Sequence, residues 1–98
     1  MTPETISLAI TLFIGRGFSN HPSAFPERVV ERFGTNLGDR LISVVKSLLS
    51  EYWEAGFPDD ATLDEATDKA SARFAELHPE ISEEAVMAFD WNFSFNNR

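Results

Sequence analysis

Apolar residues crowd the start of the chain and then recur at helical spacing to its end. In MTPETISLAITLFIGRG, Ile6, Leu8, Ile10, Leu12, Phe13 and Ile14 leave Glu4, Ser7 and Thr11 as one thin polar stripe at i, i+3, i+7. That pattern predicts a helix buried on most of its surface, capped by Thr2 and started by Pro3. Gly15–Pro22 is rich in breakers and reads as a loop. A short second helix is expected from Ala24 to Phe33, with Ser23 as its cap and Gly34 as its stop. Asn36 is then expected to cap a longer helix over 37–55, on which Leu41, Val44, Val45, Leu48 and Tyr52 share a face. Arg40, Ser43, Ser47 and Glu54 point the other way. Gly56, Phe57 and Pro58 suit its end.

Thr62 and Glu65 form a capping box for a fourth helix, whose apolar side is Leu63, Ala66, Ala70, Phe74 and Leu77. His78-Pro79 ends it. Ser82 caps a fifth, with Glu83 and Glu84 favoured by the dipole and Ile81 and Val86 spaced as a hydrophobic staple. Beyond it two periods compete. Val86, Phe89 and Phe93 have helical spacing, but Trp91, Phe93 and Phe95 alternate with Asn92, Ser94 and Asn96. The alternation predicts fraying near Trp91 into an extended, partly packed tail. The fold class is therefore all-α, a compact bundle of about five helices with an aromatic C-terminal tail, and one domain over 1–98.

Composition narrows the class of function. The chain has 98 residues, 43% of them hydrophobic, which supports a core in one small domain. No apolar run reaches the roughly 20 residues of a membrane span. The first apolar stretch lacks the leading positive charge of a secretory signal. Cysteine is absent, which excludes thiolate chemistry and fits a reducing, cytoplasmic setting. The formal net charge is −8, and its distribution is lopsided: residues 1–50 sum to +1 and residues 51–98 to −9. Such a chain repels phosphate backbones and anionic lipid and attracts basic proteins. A helix-turn-helix shape over 24–55 carries Arg28, Arg32, Arg40 and Lys46, but the overall acidity argues against nucleic acid as partner.

No motif for chemistry stands out. His21 and His78 have no second histidine or acid at ligand spacing, no serine sits in a nucleophile elbow, and Gly15-Arg16-Gly17 lacks the rest of a phosphate loop. No cofactor and no catalytic residue is assigned. The densest acidic patch is Asp59, Asp60, Asp64, Glu65 and Asp68, without EF-hand register. Asp60, Asp64 and Asp68 at i, i+4, i+8 repel one another along their own helix. Glu51 and Glu54 sit where a helix dipole disfavours acids. These seven acids are the expected partner surface, with Trp91 as an aromatic anchor. Ordinary solvation of the acids, and docking of the aromatics onto the bundle, are the simpler readings of the same residues.

In size, lack of cysteine, helical pattern and acid-rich helices after Gly56, the chain resembles the small immunity proteins that accompany bacterial toxins in contact-dependent inhibition and colicin systems. That resemblance implies a cationic toxin domain, such as a nuclease, as partner, and inhibition by occluding its active site. A self-associating structural or regulatory module without a basic partner, forming a homo-oligomer, is the alternative. A carboxylate enzyme is a third, and it requires acids with raised pKa in a cleft.

Overall fold

The computed structural model describes residues 1–55 and 62–97, and within them the chain forms five α-helices and no strand. They are α1 (Pro3–Ile14), α2 (Pro26–Phe33), α3 (Thr35–Ala55), α4 (Leu63–Leu77) and α5 (Glu83–Asn96). α3 packs against all four others, while α1 and α4 each join α3 to α5 from different sides. A single cluster of buried side chains threads all five, with Ile10, Ile14, Val29, Leu41, Val45, Tyr52, Phe74, Phe89 and Phe93 at its centre. The molecule measures 42 × 27 × 18 Å.

Three of the expected caps form. The Thr2, Thr62 and Ser82 side chains accept from the backbone N–H of Thr5, Glu65 and Ala85. The other two starts differ. α2 begins at Pro26, not Ala24, and Ser23 does not cap it. Proline disfavours helical geometry in the residue before it, so Phe25 stays outside and Pro26 takes the first helical position. α3 begins at Thr35, directly after Gly34. Gly38 N–H already bonds the Gly34 carbonyl, which leaves Asn36 inside the first turn and not at the cap.

Ser7 was expected on a polar stripe with Glu4 and Thr11, but it is buried. Its hydroxyl accepts from the Ser82 backbone N–H at 2.9 Å, tying α1 to the start of α5. Leu77, expected inward, is 46% exposed, because α4 ends there at His78. The expected fraying at Trp91 is also overturned. α5 continues as helix to Asn96, since the helically spaced Val86, Phe89 and Phe93 are all buried in the core. The role expected of 56–58 in ending α3 lies outside the described residues.

Two glycines matter for packing. Gly15 closes α1 at φ +96°, with the Phe25 ring lying where a side chain would stand. Gly38 lets α2 and α3 touch: a Cβ there would sit 2.9 Å from the Val30 Cα.

Candidate functional site

α4 turns Ala66, Ala70 and Phe74 into the core. The helical period then puts Asp64, Glu65 and Asp68 outside, and all three are exposed. Glu54, in the last turn of α3, is exposed as well. None of these four carboxylates has an ion-pair partner among the described residues. Asp59 and Asp60 lie outside the described residues.

Glu51 is placed differently. Its Oε2 lies 2.9 Å from His78 Nε2, a contact that links the end of α3 to the end of α4. His78 Nδ1 is 3.5 Å from Glu80, and its ring lies against Phe74, tilted by 38° at 4.8 Å between centroids. A neutral imidazole donates to one carboxylate only; an imidazolium donates to both. An acid at a helix C-terminus thus has a partner 27 residues away, which spacing along the sequence does not reveal.

Behind Asp68 lies a polar network that the sequence pattern also did not reveal. Tyr52 has no solvent exposure, and its hydroxyl donates to Asp90 Oδ1 at 2.5 Å. Ser71 donates to Asp90 Oδ2 at 3.1 Å. The three residues come from α3, α5 and α4 in turn. Burial pushes the Asp90 carboxyl above its ordinary value. The hydrogen bonds from Tyr52 and Ser71 pull it back, the Asp68 charge raises it further and Arg16 lowers it. The Tyr52 phenol is driven well up, chiefly by burial, then by its bond to Asp90 and the charges of Asp90 and Asp68. It stays a neutral donor at physiological pH. Around it pack Phe74, Phe89 and Phe93, with ring centroids 5.7–5.9 Å from its own.

The neighbouring Trp53 donates its indole N–H to Asn92 Oδ1 at 2.9 Å and meets Phe93 edge-on at 5.2 Å. With Leu49, Ser50 and Glu54 it lines a shallow cavity of about 380 Å³. Trp91 is half-buried against the core and lines a separate cavity with Arg16, Gly17, Ser19 and Glu84, of which Arg16 and Glu84 form an ion pair at 3.6 Å. The structure thus puts Asp64, Glu65 and Asp68 together on α4 and Trp91 beside a different cluster. His21 is an exposed loop residue stacked on Phe95.

Among the described residues no group of three His, Asp or Glu side chains is arranged to hold a metal ion. Neither histidine ring hydrogen-bonds a serine hydroxyl there. No described helix is long and apolar enough to cross a membrane. No protein-family model, curated protein or solved structure matches the chain.

Proposed function

We propose that this chain is a small all-α protein-binding module whose acidic face captures a basic protein. Its most specific form is an immunity-type inhibitor that covers the active site of a cationic toxin domain in the cytoplasm. The observation that carries the reading is the set of exposed carboxylates on Glu54, Asp64, Glu65 and Asp68, none with an ion-pair partner among the described residues. Surface acids serve solubility, and exposed Lys69 and Arg73 stand on the same helix. Here Asp64 and Asp68 are one turn apart with like charge, an arrangement that costs the free protein stability. A cationic partner removes that cost and is steered in by it.

The test is a pull-down with the tagged chain from its source cells, washed at low salt and then at ~0.5 M, where exposed charge is screened beyond a few ångströms. One stoichiometric basic protein released by salt supports the reading. Its affinity should fall more than tenfold for the chain carrying Asp64→Lys and Asp68→Lys together. Recovery of only further copies of this chain, indifferent to salt, overturns it in favour of a self-associating module.

A further inference from the structure

Between the α1–α2 loop and α5 lies a cavity of about 380 Å³, lined by Arg16, Gly17, Ser19, Glu84 and Trp91. It is at the small end of ligand cavities. Most of its polar groups are unspent. Arg16 Nε stands 3.6 Å from Glu84 Oε2, an ion pair longer than a hydrogen bond. Neither side chain makes a hydrogen bond among the described residues, although that of Arg16 is only 30% exposed. The turn after α1 is closed by the Phe18 and Ser19 N–H groups, which donate to the Gly15 carbonyl, and Gly17 N–H takes no part in it. Gly17 stands at φ +98°, and a Cβ there would meet nothing within 4 Å, so its backbone is open to close approach. The Trp91 indole N–H likewise has no hydrogen-bond partner among the described residues, and its half-buried ring supplies an apolar wall.

We propose that this cavity binds a free α-amino acid with an aromatic side chain. Its carboxylate pairs with the Arg16 guanidinium, whose planar fork matches it, and accepts from Gly17 N–H. Its ammonium pairs with Glu84, and its ring packs against Trp91. Charge selects the zwitterion. A lone anion at Arg16 faces Glu84 beside it, and also Asp90, whose carboxyl feels the Arg16 charge. A lone cation at Glu84 faces Arg16. The zwitterion presents both charges on one carbon and is neutral as a whole, so the net charge of −8 on the chain does not repel it. The cavity shares no residue with the exposed acids Glu54, Asp64, Glu65 and Asp68, so this site stands or falls apart from the basic-partner reading.

The experiment uses the full chain, ¹⁵N-labelled. It has two tryptophans, so two indole N–H signals, which Trp91→Phe assigns. Titration with L-phenylalanine should move the Trp91 indole signal and the Gly17 amide to saturation and leave the Trp53 indole in place. Phenylalanine amide, which lacks the carboxylate, should bind at least about tenfold more weakly, the loss expected for a hydrogen bond to a charged group. N-acetylphenylalanine, which lacks the ammonium, should bind about three- to fivefold more weakly, because Glu84 is 72% exposed. Glu84→Gln should weaken L-phenylalanine by the same factor and leave N-acetylphenylalanine unchanged. Arg16→Gln should weaken L-phenylalanine at least about tenfold and leave phenylalanine amide unchanged. A variant that merely unfolds would lose all three compounds together. Equal shifts with all three compounds, or shifts that neither substitution alters, overturn the zwitterion site. So does movement confined to the Trp53 signal, and so does no movement at all; none of these results bears on the exposed acids of α4.

Discussion

The Tyr52 hydroxyl donates to Asp90 from a side chain with no solvent exposure, and Ser71 serves the other carboxylate oxygen. Among the described residues no buried side-chain nitrogen or oxygen lacks a partner. Breaking this network should therefore cost more than a surface hydrogen bond. Tyr52→Phe keeps the ring packing and removes one donor to a half-buried carboxylate, so its urea midpoint should report a loss of ~1–3 kcal/mol. Asp90 gives a pH signature. Its folded carboxyl titrates above the ordinary 3.8, chiefly through burial. The native state thus holds this proton more tightly than the unfolded chain does. The stability that follows is full below the ordinary carboxyl value and is lost as pH rises through the raised folded value. Asp90→Asn keeps an acceptor for Tyr52 but cannot titrate. Measured by urea unfolding across that range, the wild type should lose stability relative to Asp90→Asn as pH rises; parallel curves would refute the assignment. Residues that act on near neighbours were legible in the sequence, as the Thr2, Thr62 and Ser82 caps show. Tyr52 and Asp90 lie 38 residues apart, and no local pattern encodes such a meeting.

At the scale of elements, periodicity located all five helices but not all their ends. It failed where one residue's backbone chemistry outweighed the pattern around it. Pro26 delays α2 past Ser23, and Gly34 lets α3 begin before Asn36. In α5 the aromatic alternation over 91–96 suggested an extended tail, yet the buried Phe89 and Phe93 keep the segment helical. Asn92 reads as a solvent position in that alternation. It is buried instead, accepting the Trp53 indole N–H. The α2–α3 contact was invisible as well, because a glycine inside a helical pattern reads as a weakness. Gly38 is there because the Val30 backbone leaves no room for a side chain. Gly38→Ala should consequently destabilise by ~1–3 kcal/mol, the range for overpacking, although alanine is the better helix former. A gain in thermal midpoint would mean that α2 moves aside easily. On the same helix, Leu41 has no solvent exposure and Leu48 sits at the edge of the core. Leu41→Ala should therefore cost ~2–5 kcal/mol and clearly more than Leu48→Ala, as chemical denaturation of both variants would show.

For the whole molecule, the placement of charge acts on stability and, under the proposed function, on the capture of a basic partner. The acid-rich half was plain in the sequence, but its organisation was not: Glu51 faces His78, while Asp68 stands near Tyr52 and Asp90 and raises the pKa of both. Asp64 and Asp68 differ in what they do for the fold. Asp64 lies in the first turn of α4, where the helix dipole favours an acid by ~0.3–1 kcal/mol. Asp68 lies beyond that turn and repels both Asp64 and Asp90. Lysine at 68 replaces a like-charge pair with an acid-to-lysine pair at i, i+4, in the favoured order, each worth ~0.2–0.5 kcal/mol. Asp68→Lys should therefore raise the thermal midpoint slightly at low salt, and the gain should fade in ~0.5 M salt as the charges are screened. Asp64→Lys should not raise it. If the acidic face serves a basic partner, both substitutions should slow association with that partner, because steering depends on the summed field and not on either residue's place in its helix. The discriminating result is Asp68→Lys: a more stable protein that binds more slowly shows that the repulsion serves capture, whereas a more stable protein with unchanged association shows that this acid is ordinary solvated surface.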